Sequence, residues 1–306
     1  QEASERLPFS WEERFKGRLT RGAALSLATK TLMWRQRWAE AFSTAQQVIN
    51  SGQYALAPSY EGIFRETGEN NEESIFEIQA YYSLTQTGLG IQYAQVQGVR
   101  GAGSWDLGWG WNTPTQSLAD AFEEGDPRKD ATLLYSGRVN TPYNENVPPA
   151  TVSIPRPYWN KKVYTNPAMR QSTGSRFGQW MNLRVIRYAD ILLLAAEAAN
   201  EMGNTSDALN YLEQVRARAR GGNSTILPAV TTTNQVELRN AIRHERRVEL
   251  GMENERFFDL VRWGIVKEVM HAAGKTGYQD RHRYLPIPQP EIDKSGGVLV
   301  QNPDYN

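Results

Sequence analysis

The 306-residue sequence predicts a mainly α protein, built from helical hairpins with a long irregular loop-rich insertion and little β structure. Alanine-rich segments of helical period occur as two pairs, one near the N-terminus and one beyond residue 183. Between the pairs, glycine, proline and aromatic residues replace the periodicity. A strongly charged amphipathic helix follows the second pair. We therefore expect one domain, with a first hairpin over 20–51, a loop-rich ligand-binding insertion over 52–182, a second hairpin plus charged helix over 183–264, and an extended segment over 265–306.

The opening residues, Gln1 to Arg18, are mostly charged, with Phe9, Trp11 and Phe15 among them, and are expected to pack on another part of the protein. From Thr20 to Asn50, Ala23, Ala24, Leu27, Ala28 and Leu32, then Trp38, Ala41, Phe42, Ala45 and Val48, carry the helical period. Small facing residues let two helices approach closely as an antiparallel hairpin, and Gly52 ends the second. Much later Tyr188, Ile191, Leu192, Ala195 and Ala199 mark one helix that stops near Gly203. Asn204 or Thr205 caps another, which carries Ala208, Leu212, Val215 and Ala219 and stops at Gly221-Gly222. Both pairs resemble tetratricopeptide hairpins. Their separation rules out a contiguous repeat array.

The insertion opens with a short strand, Ser74 to Gln79, followed by a loop containing Gly88, Gly90, Gly98, Gly101, Gly103, Gly108 and Gly110. Trp105, Trp109 and Trp111 crowd the end of that loop, so it is expected to be ordered. Pro142 to Pro157 mark a second irregular stretch leading into Tyr158-Trp159-Asn160-Lys161-Lys162, and Pro286, Pro288 and Pro290 imply extended chain near the C-terminus.

The charged helix runs from Gln235, with Asn234 and Glu237 as a capping box and Gly251 as a left-handed stop; an amphipathic segment from Phe257 to Trp263 follows. Its apolar face, Leu238, Ala241, Ile242 and Val248, also contains Glu245 and Glu249. Two glutamates one turn apart can serve as acid and base, because close carboxylates separate each other's pKa values. A zinc-protease helix is excluded, since Val248 stands where the second histidine is needed. The structural alternative is an inward-facing carboxylate pair held by arginines, of which Arg239, Arg243, Arg246, Arg247 and Arg256 are close in sequence.

Composition narrows the chemistry. The 34 basic and 34 acidic residues give zero net charge and no basic stripe for nucleic acid. Cysteine is absent, which removes disulfides and thiol chemistry, and His244, His271 and His282 are too scattered for a metal cluster. No apolar run reaches membrane-spanning length and no signal segment begins the chain.

The stretch IRHERRVELGMENERFFDLVRWG resembles the C-terminal hallmark of SusD/RagB-type proteins, surface-exposed nutrient-binding lipoproteins of Gram-negative outer membranes. Pro114-Thr115-Gln116 to Asp126-Pro127-Arg128, Arg187-Tyr188-Ala189-Asp190-Ile191, Tyr284 to Pro288, and Gln301-Asn302-Pro303-Asp304-Tyr305 resemble other family segments in the same order. The resemblance runs from about Leu19 and covers the family's C-terminal part. It implies a non-enzymatic protein at the cell outer membrane, lipid-anchored through an N-terminal portion outside this chain. Such a protein binds an oligosaccharide and passes it to a SusC-like TonB-dependent transporter.

The glycan site of that family carries no motif that transfers by position, so site residues are chosen on chemistry. A sugar lays its C–H face on an aromatic plane and offers hydroxyls to amides and carboxylates. Trp105, Asp106, Trp109, Trp111 and Asn112 supply both within one loop, with Tyr81, Tyr82 and Tyr93 as weaker candidates. For each tryptophan the competing role is a buried anchor for the loop. No catalytic residue, metal ligand or cofactor is expected, and no motif specifies a calcium ion. Three other functions compete: a peptide-binding member of the family, a scaffold using the concave face of the hairpins, and a helical glycoside hydrolase with Asp106 or Glu245 as an acid.

Overall fold

A computed structural model describes residues 2–305. Contacts divide the chain into two compact units, 2–253 and 254–305. The first hairpin consists of helices Arg21–Trp34 and Trp38–Ile49, and the second of Tyr188–Glu201 and Thr205–Arg220. Helix Tyr188–Glu201 is buried on every side, so no amphipathic stripe is needed. It packs against Trp38–Ile49, Thr205–Arg220 and the charged helix Gln235–Glu249. Alanines 189, 195, 196, 198 and 199 are fully covered, which lets these helices join in one apolar core despite the insertion between them.

The caps follow the sequence closely. Thr20 accepts from the Ala23 amide, Asn204 from Asp207, and Gly203, Gly221 and Gly222 take positive φ. Asn234 accepts from the amides of Val236 and Glu237, yet the expected capping box is not reciprocal. The Glu237 carboxylate accepts instead from the Thr232 hydroxyl, which in turn accepts from the Asn234 amide at 3.2 Å. Gly251 is not the left-handed stop either. Leu250 closes the charged helix and Met252 takes φ of +69°. A Cβ on Gly251 would lie 3.2 Å from the Arg247 carbonyl oxygen, so this glycine serves close packing.

Strand Ser74–Ile78 pairs antiparallel with Leu183–Arg187, closing the base of the insertion. Two further small pairs, Leu133–Tyr135 with Tyr158–Asn160 and Val139–Asn140 with Glu145–Asn146, complete the sheets of the described residues. Short helices, including Tyr93–Gln97 and Pro127–Thr132, occur between the loops. In the second unit, helices Arg256–Arg262, Val266–Ala272 and Gln289–Lys294 accompany a small cluster of Leu260, Val266 and Tyr278. The segment expected to be extended, 265–306, thus contains helices. Pro290 lies in the first turn of one of them, where its missing N–H costs nothing.

Candidate functional site

Glu245 and Glu249 are fully buried. Their partners are not the neighbouring arginines expected from sequence but arginines from distant elements. Glu245 pairs with Arg128 and, at 2.9 Å, with Arg216. Glu249 pairs with Arg128 at 3.1 Å, Arg187 at 3.2 Å and Arg218 at 2.5 Å. Arg128 also binds Asp126, Arg187 binds Glu253, and Glu73 bridges Arg187 and Arg218. Burial alone would raise the Glu249 carboxyl, but Arg218, Arg187 and Arg128 hold it well below the usual carboxylate range. Arg239 pairs with Glu201, Arg246 with Asp190, and Arg247 donates to Ser117. Carboxylates so enclosed cannot reach a substrate, and this cluster is a brace.

The brace extends to the tryptophan loop. Lys162, buried and lowered to about 8 by desolvation against the opposing pull of Glu253, donates to the Glu249 carbonyl oxygen at 3.1 Å. Asn160 accepts from the Lys162 amide at 3.0 Å and donates to Gln97 Oε1 at 3.0 Å. The same oxygen accepts from Asn112 Nδ2 at 2.7 Å.

The loop itself is laid on helix Tyr93–Gln97. Backbone amides of Leu107, Trp109, Gly110 and Trp111 donate to Val99, Gln95, Gly98 and Val96 at 2.9–3.0 Å. This approach requires glycine: a Cβ on Gly98 would sit 2.4 Å from Leu107 O, and one on Gly108 would sit 2.2 Å from Gln95 O. Trp105 is half-buried against the cluster of Val99, Leu107 and Ile154, so it acts as an anchor. Trp109 and Trp111 project outward, 39% and 61% exposed, with ring centroids 5.2 Å apart and planes at 62°. Asp106 pairs with Arg176 at 2.9 Å.

The five sequence candidates thus fall into three kinds. Trp109 and Trp111 present rings to solvent, Asn112 stands beside them with its amide tied to Gln97, and Trp105 and Asp106 secure the loop. Tyr82 and Tyr93 pack against Ala94, Val163 and Trp180, whereas Tyr81 is exposed.

Other residues around the loop were not singled out as site candidates from sequence. Arg100 is exposed beside Gly110. Tyr158, on the strand that carries Asn160, donates its hydroxyl to Gln116 Oε1 at 2.9 Å. That strand runs along the loop, since Trp159 lies under Gly110 while Asn160 shares Gln97 with Asn112. The only sequence signal for these residues is that they flank irregular, aromatic-rich segments.

A groove of about 990 Å³ lies along the first hairpin, between Leu19, Leu27, Leu32 and Arg37. The tryptophan pair forms a projecting surface, which needs no cavity. Among the described residues no cluster of metal-ligating side chains occurs, and no helix is long and apolar enough to cross a membrane.

The model of the SusD family matches residues 72–305. The chain belongs to the SusD family. SusD-like protein P2 of Formosa agariphila is 28% identical over 94% of the chain and 60% of its own length. SusD-like protein P25 of the same organism is 25% identical over the whole chain and 62% of its own length. The chain therefore spans about three fifths of these SusD-like relatives. Among solved structures, surface glycan-binding protein A from Bacteroides thetaiotaomicron, in complex with laminarihexaose, superposes with a TM-score of 0.79 at 26% identity. That match covers 97% of this chain and 67% of the other. A laminarin-binding SusD-like protein gives 0.77 at 26% identity, covering 99% and 67%.

Proposed function

We propose that this SusD-family chain belongs to a non-enzymatic glycan-binding protein whose ligand rests on Trp109 and Trp111. The carrying observation is that two tryptophans are left exposed on a loop whose backbone amides at Leu107, Trp109, Gly110 and Trp111 are hydrogen-bonded, with Asn112 beside them. Rings held in place lose little freedom when a sugar stacks on them, so modest contact area yields useful affinity. Similarity to a structure that holds laminarihexaose and to a laminarin-binding protein supports glycan as the ligand class. Against hydrolysis, Glu245 and Glu249 are enclosed by arginines, and Asp106 is bound to Arg176.

Family membership supports a place at the outer-membrane surface and delivery of the glycan to a TonB-dependent transporter. Binding is tested by calorimetric titration with laminarihexaose of the wild type and of Trp109→Ala/Trp111→Ala. Loss of the heat in the variant supports the reading, and undiminished binding overturns it. Delivery is tested by co-purification with an outer-membrane transporter from cells producing the full-length protein, and failure to recover one overturns that part.

A further inference from the structure

A second, smaller cavity lies far along the chain from the tryptophan loop. Residues from 9–20 and from strand Ser74–Ile78, with Gln53, Tyr54 and Asn70, line an open cleft of about 260 Å³. That is just below the roughly 300–1,000 Å³ of sites for drug-sized ligands, and suits a single ring. The strand alternates, with Ile75 and Glu77 buried and Ser74 and Phe76 half-buried along the cavity. Phe9, Trp11 and Phe76 give it apolar surface, and Gln53 and Ser74 bring amide and hydroxyl groups.

Its walls are held in place. The Trp11 indole N–H donates to the Leu19 carbonyl oxygen at 2.9 Å. The Tyr54 hydroxyl is 3.0 Å from Thr20 Oγ1, and the Tyr54 ring stacks on Tyr188 with planes 28° apart.

The charges are unevenly spent. Glu13 is taken by Lys16 at 3.2 Å, and Glu77 accepts from the Asn70 amide at 3.0 Å and from Asn182 Nδ2 at 2.9 Å. Arg18 has its guanidinium carbon 3.9 Å from the Phe15 ring centroid and 5.6 Å from that of Trp11. Among the described residues no carboxylate pairs with it. A guanidinium oriented by two rings, with its donors uncommitted, is shaped for the two oxygens of a planar carboxylate.

We propose that this cavity binds a single acidic sugar unit, with the carboxylate on Arg18, the C–H face on the aromatic walls and hydroxyls on Gln53 and Ser74. The site is independent of the reading given for Trp109 and Trp111.

The test follows tryptophan indole resonances in ¹H–¹⁵N spectra, with Trp11 assigned from a Trp11→Phe variant, during titration with methyl β-D-glucuronide. The expected result is a saturable shift of the Trp11 resonance at millimolar concentration, with the Trp109 and Trp111 resonances unmoved. Arg18→Gln, an exposed change that leaves the core intact, should weaken this binding about tenfold or more, and the neutral methyl glucoside should bind at least as poorly. Three results would overturn the proposal: a Trp11 resonance that does not move, equal binding by Arg18→Gln, or an equal shift caused by sodium sulfate alone.

Discussion

The buried ionic brace and the tryptophan loop use opposite means to the same degree of order. In the brace, Glu245, Glu249, Arg128 and Arg187 are removed from water and paired with one another and with Asp126, Glu73, Glu253, Arg216 and Arg218. In the loop, backbone amides and close-packed glycines do the holding, and the large side chains of Trp109 and Trp111 are left over. Side chains fully used for architecture have nothing to offer a ligand. Rings that the architecture does not need are available to one. The two regions are joined through Lys162, Asn160 and Gln97, so the brace supports the tryptophan loop.

The largest expected effect comes from breaking the brace. Arg128→Ala leaves Glu245, Glu249 and Asp126 buried with one cation fewer. It should cost about 3–5 kcal/mol, read as a fall in the urea midpoint, because an uncompensated buried charge is far costlier than the net worth of its pair. A loss below about 1 kcal/mol would mean that water enters the cluster.

The opposite pattern is expected for Trp109→Ala/Trp111→Ala. Laminarihexaose affinity should fall by at least about tenfold while the urea midpoint stays within the small range of surface changes. A large stability loss would instead make the pair structural.

pH sharpens the contrast. Glu249, Glu253 and Asp190 all have carboxyls lowered by their cationic partners despite burial, so the stability they contribute is present above the ordinary carboxylate range and is lost as acid protonates them. Glu69 runs the other way. Burial raises it to about 7, against the Asn182 amide and Arg184, so its contribution is present at low pH and fades as pH rises through that value. Thermal melts from pH 5 to 8 should show Glu69→Gln gaining on the wild type as pH rises, and parallel curves would contradict the assignment.

The smallest effect should be that of Asn112→Ala, a few-fold loss of glycan affinity with little change in melting. It removes one amide and its tie to Gln97.

Much of the scaffold was legible because it rests on local rules. Alanine spacing marked both hairpins, and Asn204 and Gly221 marked their ends. The inward direction of Glu245 and Glu249 was also readable from period. Their partners were not, because nearness in sequence favoured Arg239 and Arg247, while Arg128, Arg216 and Arg218 arrive only when the chain is folded. Two of the true partners, Arg128 and the Glu249-bound Arg187, do sit in the segments that carried the family resemblance. Within the loop, composition selected the aromatic stretch but could not separate anchor from platform: Trp105 turns inward and Trp109 outward through backbone pairing that no periodicity announces. The meeting of Tyr158 and Gln116 depends on strand pairing and a long-range hydrogen bond, and was invisible for the same reason.

The central claim is that exposed rings on a braced loop are the ligand site. Its most direct test is the calorimetric titration of laminarihexaose into wild type and into Trp109→Ala/Trp111→Ala of equal urea midpoint. Saturable heat in the wild type and none in the variant is the predicted result. Equal heats in both would show that the glycan binds elsewhere and that these tryptophans are spectators.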